Sequence, residues 1–251
     1  MPINESFDDS SPEVFRASQL IEPIVDFPEI VIATYSRKVF AAILAHHDPV
    51  ELGEINTSAL TIPVYEFSSN GKRFATYLST IGGAASAAIM EEVIAMGGRS
   101  FLFFGSCGAL NDAVPSGEIA VPTAAWRDEG ASYHYLPAAD LVDVPTWQKL
   151  SAILQELAVP HHTTITWTTD AIYRETRATM EKRIAAGCDV VEMECASTAA
   201  VAAFRNVAFY QFLYGADSLA GDEWDPRNLA EHAHDQNTAM ADLAVAIAGR
   251  L

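Results

Sequence analysis

Strand-like and helix-like segments alternate along almost the whole chain, and this alternation restricts the fold more than any other feature of the sequence. Short apolar or β-branched runs, such as 30–34 and 100–104, have the composition of buried strands. The segment 84–96 carries apolar residues at helical spacing and ends at a Gly-Gly pair. The pattern predicts an α/β sheet flanked by helices, a class that places its chemistry in loops at strand ends.

The predicted elements cover most of the chain. Strands are expected at 30–34, 59–67, 73–80, 100–104, 118–124 and 207–214, and helices at 37–46, 84–96, 147–157, 177–186, 193–204 and 229–247. No internal repeat or flexible linker interrupts the sequence, and 251 residues are enough for one large core. We therefore expect a single domain over 1–251 that begins with an irregular segment at 1–28.

Charge and composition argue against several classes of protein. The 33 acidic and 15 basic residues give a formal charge of -18, which would repel the backbone of a nucleic acid. The apolar runs are only strand-sized, and the first residues are acidic where an export signal would be basic, so we expect no membrane segment and a cytoplasmic location. The three cysteines match no zinc pattern, which predicts reduced thiols and no bound metal.

Two glycine-containing segments follow predicted strands. In 80–86, a Gly-Gly pair opens a helix whose free N–H groups would suit an anion or a hydroxyl, although a tight turn beneath a helix is the more common explanation. In 105–108, the glycines would let the backbone and the Ser106 hydroxyl reach a flat ligand or a phosphate. A turn with a buried serine is the alternative and, for this segment alone, the simpler explanation.

Two carboxylates mark a third segment, 191–196. Glu192 and Glu194, separated by Met193, lie between an apolar strand and a helix rich in alanine. Carboxylates beside apolar runs are costly to bury without donors, and a substrate diol offers two hydroxyl donors to one carboxylate. Capping of the helix start is the structural alternative. The apolar surroundings on both sides favour a function in binding.

Together these segments resemble the nucleoside phosphorylase family, which includes hexameric purine nucleoside phosphorylases, uridine phosphorylases and related nucleosidases. The resemblance runs from near Ile30 to about Ile247 and rests on five motifs in the order of the family, at 81–92, 99–110, 117–135, 191–196 and 214–217. It implies a single α/β domain with a mixed, partly barrel-like central sheet flanked by helices. It also implies a homo-oligomer, either a dimer or a hexamer built as a trimer of dimers, with active sites that borrow residues from a neighbour.

The resemblance also implies the reaction, which is phosphorolysis of a purine or pyrimidine ribonucleoside to a free base and ribose 1-phosphate. Nucleoside and phosphate are then the small-molecule partners, phosphate is the co-substrate, and no cofactor is needed. The implied roles are ribose binding by Glu194, Met193 and Glu192, phosphate binding by Ser106, Gly105 and Arg37, base binding by Cys107, Gly108, Ile172 and Arg174, and protonation of the leaving base by Asp217.

Departures from the family pattern bear on the nucleophile. Phe103 stands where phosphorylases usually have an arginine, residues 33–37 replace a glycine-rich phosphate loop, and the region around 57–58 lacks the arginine that a neighbour lends. Arg174 and Arg177 are candidates for a rearranged phosphate site or for base recognition, or else they belong to a solvated helix start. The alternatives are therefore a hydrolytic nucleosidase and a non-catalytic nucleoside-binding protein.

Overall fold

The computed structural model of the chain describes residues 2–112, 114–227 and 234–251. The strands are β1 Ile30–Thr34, β2 Val50–Asn56, β3 Thr61–Ser69, β4 Lys72–Leu78, β5 Ser100–Ala109, β6 Ile119–Asp128, β7 Leu141–Asp143, β8 His161–Thr169, β9 Cys188–Glu192 and β10 Ala208–Ser218. The helices are α1 Arg37–Ala45, α2 Gly83–Met96, α3 Ser132–Tyr135, α4 Trp147–Glu156, α5 Arg177–Ala185, α6 Cys195–Arg205 and α7 His234–Ala248. No helix within these described ranges is both long and apolar enough to cross a bilayer.

Within the described chain, ten strands form one mixed sheet, and five of them close into a barrel. The closed ring runs β10-β6-β8-β9-β5 and returns to β10, because β5 pairs with both β9 and β10. From β5 the sheet continues as an open extension through β1, β4, β3 and β2. The predicted α/β class, with its partly barrel-like mixed sheet and flanking helices, is confirmed.

Helices cover both faces of the sheet and complete an apolar core on each. On one face, α2 and α6 pack against each other, and Val93 lies in the same cluster as Phe101 and Phe103 of β5. On the other face, α1, α4 and α7 cover Leu102 and Phe104. Successive side chains of a strand point to opposite faces, so this apolar run supplies both layers at once.

Several observed bounds differ from the predicted ones. β5 continues to Ala109, so the segment 105–108, predicted as a loop after a strand, is part of the strand itself. The sequence pattern does not predict β2 or β8, because the first is rich in acidic residues and the second, although its threonines favour a strand, lacks an apolar run. The irregular N-terminal segment has 3-10 turns at Ile3–Glu5 and Ala17–Gln19. Residues 229–233 of the predicted last helix lie outside the described residues.

The sheet topology brings the predicted motifs to one edge. β1, β4, β5 and β10 run parallel to one another, so their carboxyl ends lie together. β9 runs antiparallel to β5, with Val191 paired to Gly108, and it delivers residues 192–194 along the end of β5. The fold therefore gathers residues far apart in sequence around a common space.

Candidate active site

A cavity of about 270 Å³ opens at this edge of the sheet. Its wall contains nine of the residues predicted for the site, namely Gly105, Ser106, Cys107, Gly108, Ile172, Glu192, Met193, Glu194 and Asp217. The other described residues of the wall are Tyr35, Ser36, Ile81, Glu175, Val191, Tyr214 and Leu219. Two predicted residues, Arg37 and Arg174, are exposed and do not belong to the described part of this wall.

Glu194 is buried at the start of α6, and its carboxylate crosses to the loop that follows β4. Its Oε1 accepts a hydrogen bond from the Gly82 N–H at 2.6 Å. Gly82 has a φ of 101°, a conformation that favours glycine, so the glycine in this sequence allows the turn that donates its N–H to Glu194. Burial and the neighbouring Glu192 raise the pKa of Glu194 to about 8. The side chain of Glu194 does not cap α6, which removes the structural alternative for this residue.

Glu192 has the anchoring role instead. Its Oε2 accepts hydrogen bonds from the N–H groups of Glu194 and Cys195, each at 2.7 Å. Its Oε1 accepts from the hydroxyls of Thr168 at 2.6 Å and Thr166 at 3.3 Å. Four protein donors therefore satisfy this buried carboxylate at the helix start. We assign to Glu192 the positioning of the chain at Glu194, and its contact with ribose stays a prediction.

Hydroxyl groups mark the part of the cavity next to β1 and β5. Ser106 is exposed, and Ser36 and Tyr35 line the same wall. The Tyr35 hydroxyl lies 3.2 Å from Ser86 Oγ. A Cβ added at Gly105 would lie 2.9 Å from Cδ2 of Tyr35, so glycine is needed there to admit the ring. The hydroxyls can donate hydrogen bonds to an anion, but they carry no charge.

Phe103 belongs to the core and not to the cavity wall. It is fully buried, and its ring packs with those of Tyr35, Tyr77 and Phe209 at centroid distances of 6.1, 6.4 and 5.8 Å. An aromatic cluster therefore fills the volume around the position at which the family resemblance implies an arginine. The described wall holds four carboxyl groups and neither lysine nor arginine.

Asp217, near the end of β10, is held by a short hairpin. The Trp224 Nε1–H donates to Asp217 Oδ2 at 2.8 Å. Backbone hydrogen bonds between Ser218 and Asp225, at 2.8 and 2.9 Å, close the hairpin. Arg177 donates to three backbone carbonyls of the same loop, those of residues 219, 221 and 222. Arg177 thus fixes the loop that carries Trp224. These contacts give the Arg177 guanidinium a structural role that requires no ligand.

The wall next to Asp217 is apolar except for one carboxyl group that the sequence analysis does not single out. Ile172 and Leu219 lie there, and a Cβ added at Gly108 would come within 2.7 Å of Leu219 Cδ1. Glu175 lines the same region. Burial, with a contribution from Asp217, raises its pKa to about 7. No sequence motif marks Glu175, which stands in the short segment between β8 and α5 that also carries Ile172.

The motif around Asp128 supports the site from outside the cavity. Glu129 accepts hydrogen bonds from Ser197 Oγ of α6 at 2.5 Å and from the Ser132 N–H at 3.0 Å. Asp128 accepts from the Trp167 indole at 3.0 Å. These contacts join α3 to α6 and to the barrel, and so hold the helix whose first turn presents Glu194.

The three cysteines are free and buried. Burial raises the pKa of Cys188 to about 12 and raises those of Cys107 and Cys195 as well. Such thiols stay protonated and unreactive near neutral pH. Within the part of the chain that the structure describes, no group of three or more His, Cys, Asp or Glu side chains is placed to hold a metal ion.

Comparison with known proteins decides the family. The sequence pattern of the phosphorylase superfamily matches residues 29–249, which is most of the chain. The chain belongs to the phosphorylase superfamily. This confirms the resemblance, and it gives the cavity a context, since the superfamily match includes every described residue of its wall.

Individual relatives of this phosphorylase-superfamily chain match over shorter stretches. A uridine phosphorylase of Haemophilus influenzae is 35% identical over 68 residues, which is 27% of each chain. A uridine phosphorylase of Thermococcus kodakarensis is 34% identical over 97 residues, or 37% of this chain and 34% of the relative. A purine nucleoside phosphorylase of Plasmodium falciparum is 30% identical over 143 residues, or 55% of this chain and 58% of the relative. The matches thus span less than two thirds of each relative.

Proposed function

We propose that the protein cleaves the N-glycosidic bond of a ribonucleoside and transfers the ribose to phosphate, giving a free base and ribose 1-phosphate. One observation carries the proposal: Glu194, Ser106 and Asp217 come from three different elements and line the same cavity. The relatives named uridine phosphorylase and purine nucleoside phosphorylase support this reaction type.

In this proposal Glu194 binds the ribose. Its backbone is fixed by Glu192, and one carboxylate oxygen already lies against Gly82, so the group is oriented before substrate arrives. The pKa of Glu194 is raised to about 8, and hydrogen bonds donated by the ribose hydroxyls favour its ionised form. The carboxylate then accepts from the 2′ and 3′ hydroxyls and holds C1′ in position for attack. Met193 lies beside it in the wall and packs on the sugar.

Asp217 acts on the base. An oxygen of phosphate attacks C1′, the bond from C1′ to the base nitrogen breaks, and its electron pair passes to the base. Protonation of the base by Asp217 neutralises the developing charge and contributes about 10²–10⁴-fold in rate. Ile172, Leu219 and Gly108 offer the flat, apolar surroundings that a base requires.

Phosphate would enter near Ser106, Ser36 and Tyr35, whose hydroxyls donate hydrogen bonds. The carboxyl groups of the described wall oppose a dianion, so we expect weak phosphate binding in the single chain. A cation from Arg37, one residue beyond Ser36, or from a second subunit of the homo-oligomer that we propose would offset this charge.

The same electrostatics favour a second candidate, hydrolysis. Water is neutral and needs no cation, so a wall whose described residues include four carboxyls and no basic group suits it better than phosphate. A carboxylate in the wall could then accept the proton of the attacking water. This candidate differs from the first only in the nucleophile.

The deciding experiment is a panel of purine and pyrimidine nucleosides incubated with the protein, with and without phosphate. Phosphorolysis predicts base release that rises with phosphate concentration and formation of ribose 1-phosphate. Equal rates without phosphate, with free ribose as product, would support hydrolysis. Binding of a nucleoside by calorimetry without turnover under either condition would leave only the binding-protein alternative.

A further inference from the structure

The position of Glu175 differs from that of the other carboxyl groups in the cavity. It follows the 3-10 turn Ile172–Arg174 and precedes Thr176, whose hydroxyl caps α5. Its side chain lines the cavity and also an adjoining lobe of about 670 Å³. Both ends of this segment are thus fixed by regular structure, and Glu175 stands at the junction of the two spaces.

The carboxyl group of Glu175 has no hydrogen-bonding or ion-pair partner among the described residues. Glu192 has four protein donors, Glu194 has the Gly82 N–H and Asp217 has the Trp224 indole. Glu175 is half-buried in a part of the wall formed by Ile172 and Leu219. Water still reaches the Glu175 oxygens, and a ligand that displaces this water must supply their hydrogen bonds instead.

The charges facing Glu175 are mostly negative. Burial, with a smaller contribution from the nearby Asp217, raises the pKa of Glu175 to about 7. The ionisable groups that line the two spaces around it are Asp217, Asp222, Glu192, Glu194, Cys107, Tyr35, Tyr173, Tyr214 and Arg177. Arg177 is the one cation among these described residues, and it is engaged with backbone carbonyls. Near neutral pH, Glu175 is therefore present in both its neutral and its ionised form.

We propose that Glu175 in its neutral form selects the base, donating its O–H to a ring carbonyl and accepting a hydrogen bond from the adjacent ring N–H. The ligand class is a base with a lactam edge, as in uracil and hypoxanthine. A neutral carboxylic acid presents one donor beside one acceptor, which is the complement of that edge. The inference rests on the proposed function, because it assigns the base to this side of the cavity.

Ionisation of Glu175 has a defined consequence. A carboxylate only accepts, so it would repel the carbonyl oxygen of the lactam and retain only the contact with the ring N–H. Affinity for the base should therefore fall as the pH rises through about 7. A glutamine at this position keeps one donor and one acceptor at every pH and imitates the neutral acid.

The test measures binding of uracil and hypoxanthine by calorimetry between about pH 6 and pH 8. Above the pKa of Glu175, we expect the affinity of the wild-type protein for the base to fall by a factor that approaches about tenfold for each pH unit. Glu175→Gln should bind within a few-fold of the wild type at the acidic end and lose the pH dependence. Asp222→Asn, which alters an exposed carboxyl group of the adjoining lobe, is the matched control and should behave like the wild type.

Two results would overturn the inference. One is wild-type binding that is absent or does not change with pH. The other is a Glu175→Gln protein, folded as judged by its thermal transition, that has lost affinity at the acidic end or keeps the wild-type pH dependence. Base binding requires no turnover, so nucleosides left uncleaved would refute the proposed function alone. Cleavage with an unaltered Glu175→Gln profile would refute this inference alone.

Discussion

Replacement of Glu194 by glutamine tests the ribose site most directly. Glutamine has nearly the same shape and keeps one carbonyl oxygen, which can still accept from the Gly82 N–H that now lies 2.6 Å from Oε1. The amide lacks the second acceptor and the charge, so it cannot accept from both ribose hydroxyls. The substitution therefore removes one of the hydrogen bonds to the ribose diol and leaves the loop after β4 in place.

The size of the effect follows from the burial of Glu194. Hydrogen bonds to charged groups contribute about 1.5–3 kcal/mol each. One decade in rate corresponds to about 1.36 kcal/mol, so loss of one such bond should lower kcat/KM for a ribonucleoside by about 10- to 150-fold. A 2′-deoxyribonucleoside lacks one hydroxyl already and should lose markedly less.

The assay compares kcat/KM of a ribonucleoside and its 2′-deoxy analogue for the wild type, Glu194→Gln and a control, Glu192→Gln. The control changes a carboxylate whose oxygens serve Thr168, Thr166 and two backbone N–H groups. The control substitution should lower the thermal stability, and it should lower kcat/KM by the same factor for both substrates. Equal losses for both substrates in Glu194→Gln, matching the control, would show that Glu194 does not bind the diol.

Three other predictions concern the acid, the packing and the pH dependence of stability. Asp217→Asn should lower kcat for a purine nucleoside by about 10²–10⁴-fold with little change in KM, measured by steady-state kinetics; an unchanged kcat would remove Asp217 from the mechanism. Gly83→Ala places a Cβ against Ser197 Oγ and should lower the free energy of unfolding by about 1–3 kcal/mol in denaturant titrations, with part of the loss recovered by adding Ser197→Ala. Because the folded-state pKa of Glu194 is raised to about 8 from 4.5, its contribution to stability is fully present below pH 4.5 and is lost as the pH rises toward 8. Thermal midpoints should fall across that pH window, and they should fall less in Glu194→Gln. An identical dependence of the midpoint on pH in the two proteins would contradict the raised pKa of Glu194.

The fold was predictable to the extent that each element carried its own pattern. β5 has the apolar run of a strand buried on both faces, and α2 ends at a glycine with φ of 141°. β8 carries seven threonine or histidine residues among nine, and although threonine favours strands, the segment lacks the apolar run that marks a buried strand in the sequence. Closure of the ring depends on pairings such as β5 with β9, between strands far apart in sequence, which no local pattern contains.

The candidate site shows the same division between local and long-range information. Glu194, Ser106 and Asp217 are recognisable because each stands in a short motif at the end of an element. Glu175 stands in no such motif, and it becomes a candidate only when burial and the missing partner are known.

The two carboxylates at the start of α6 differ in sequence by only two positions, yet one is saturated by four protein donors and the other faces the cavity. Strand β9 ends at Glu192, whose carboxylate turns back on the N–H groups of the helix start, and this turn directs Glu194 across to Gly82. From the sequence one can see only that two carboxyl groups, costly to bury, lie next to apolar segments. The backbone geometry determines which charge stabilises the fold and which is available to a substrate. For that reason the Glu192→Gln and Glu194→Gln variants, chemically identical changes, should affect different quantities, the first stability and the second discrimination between ribose and deoxyribose.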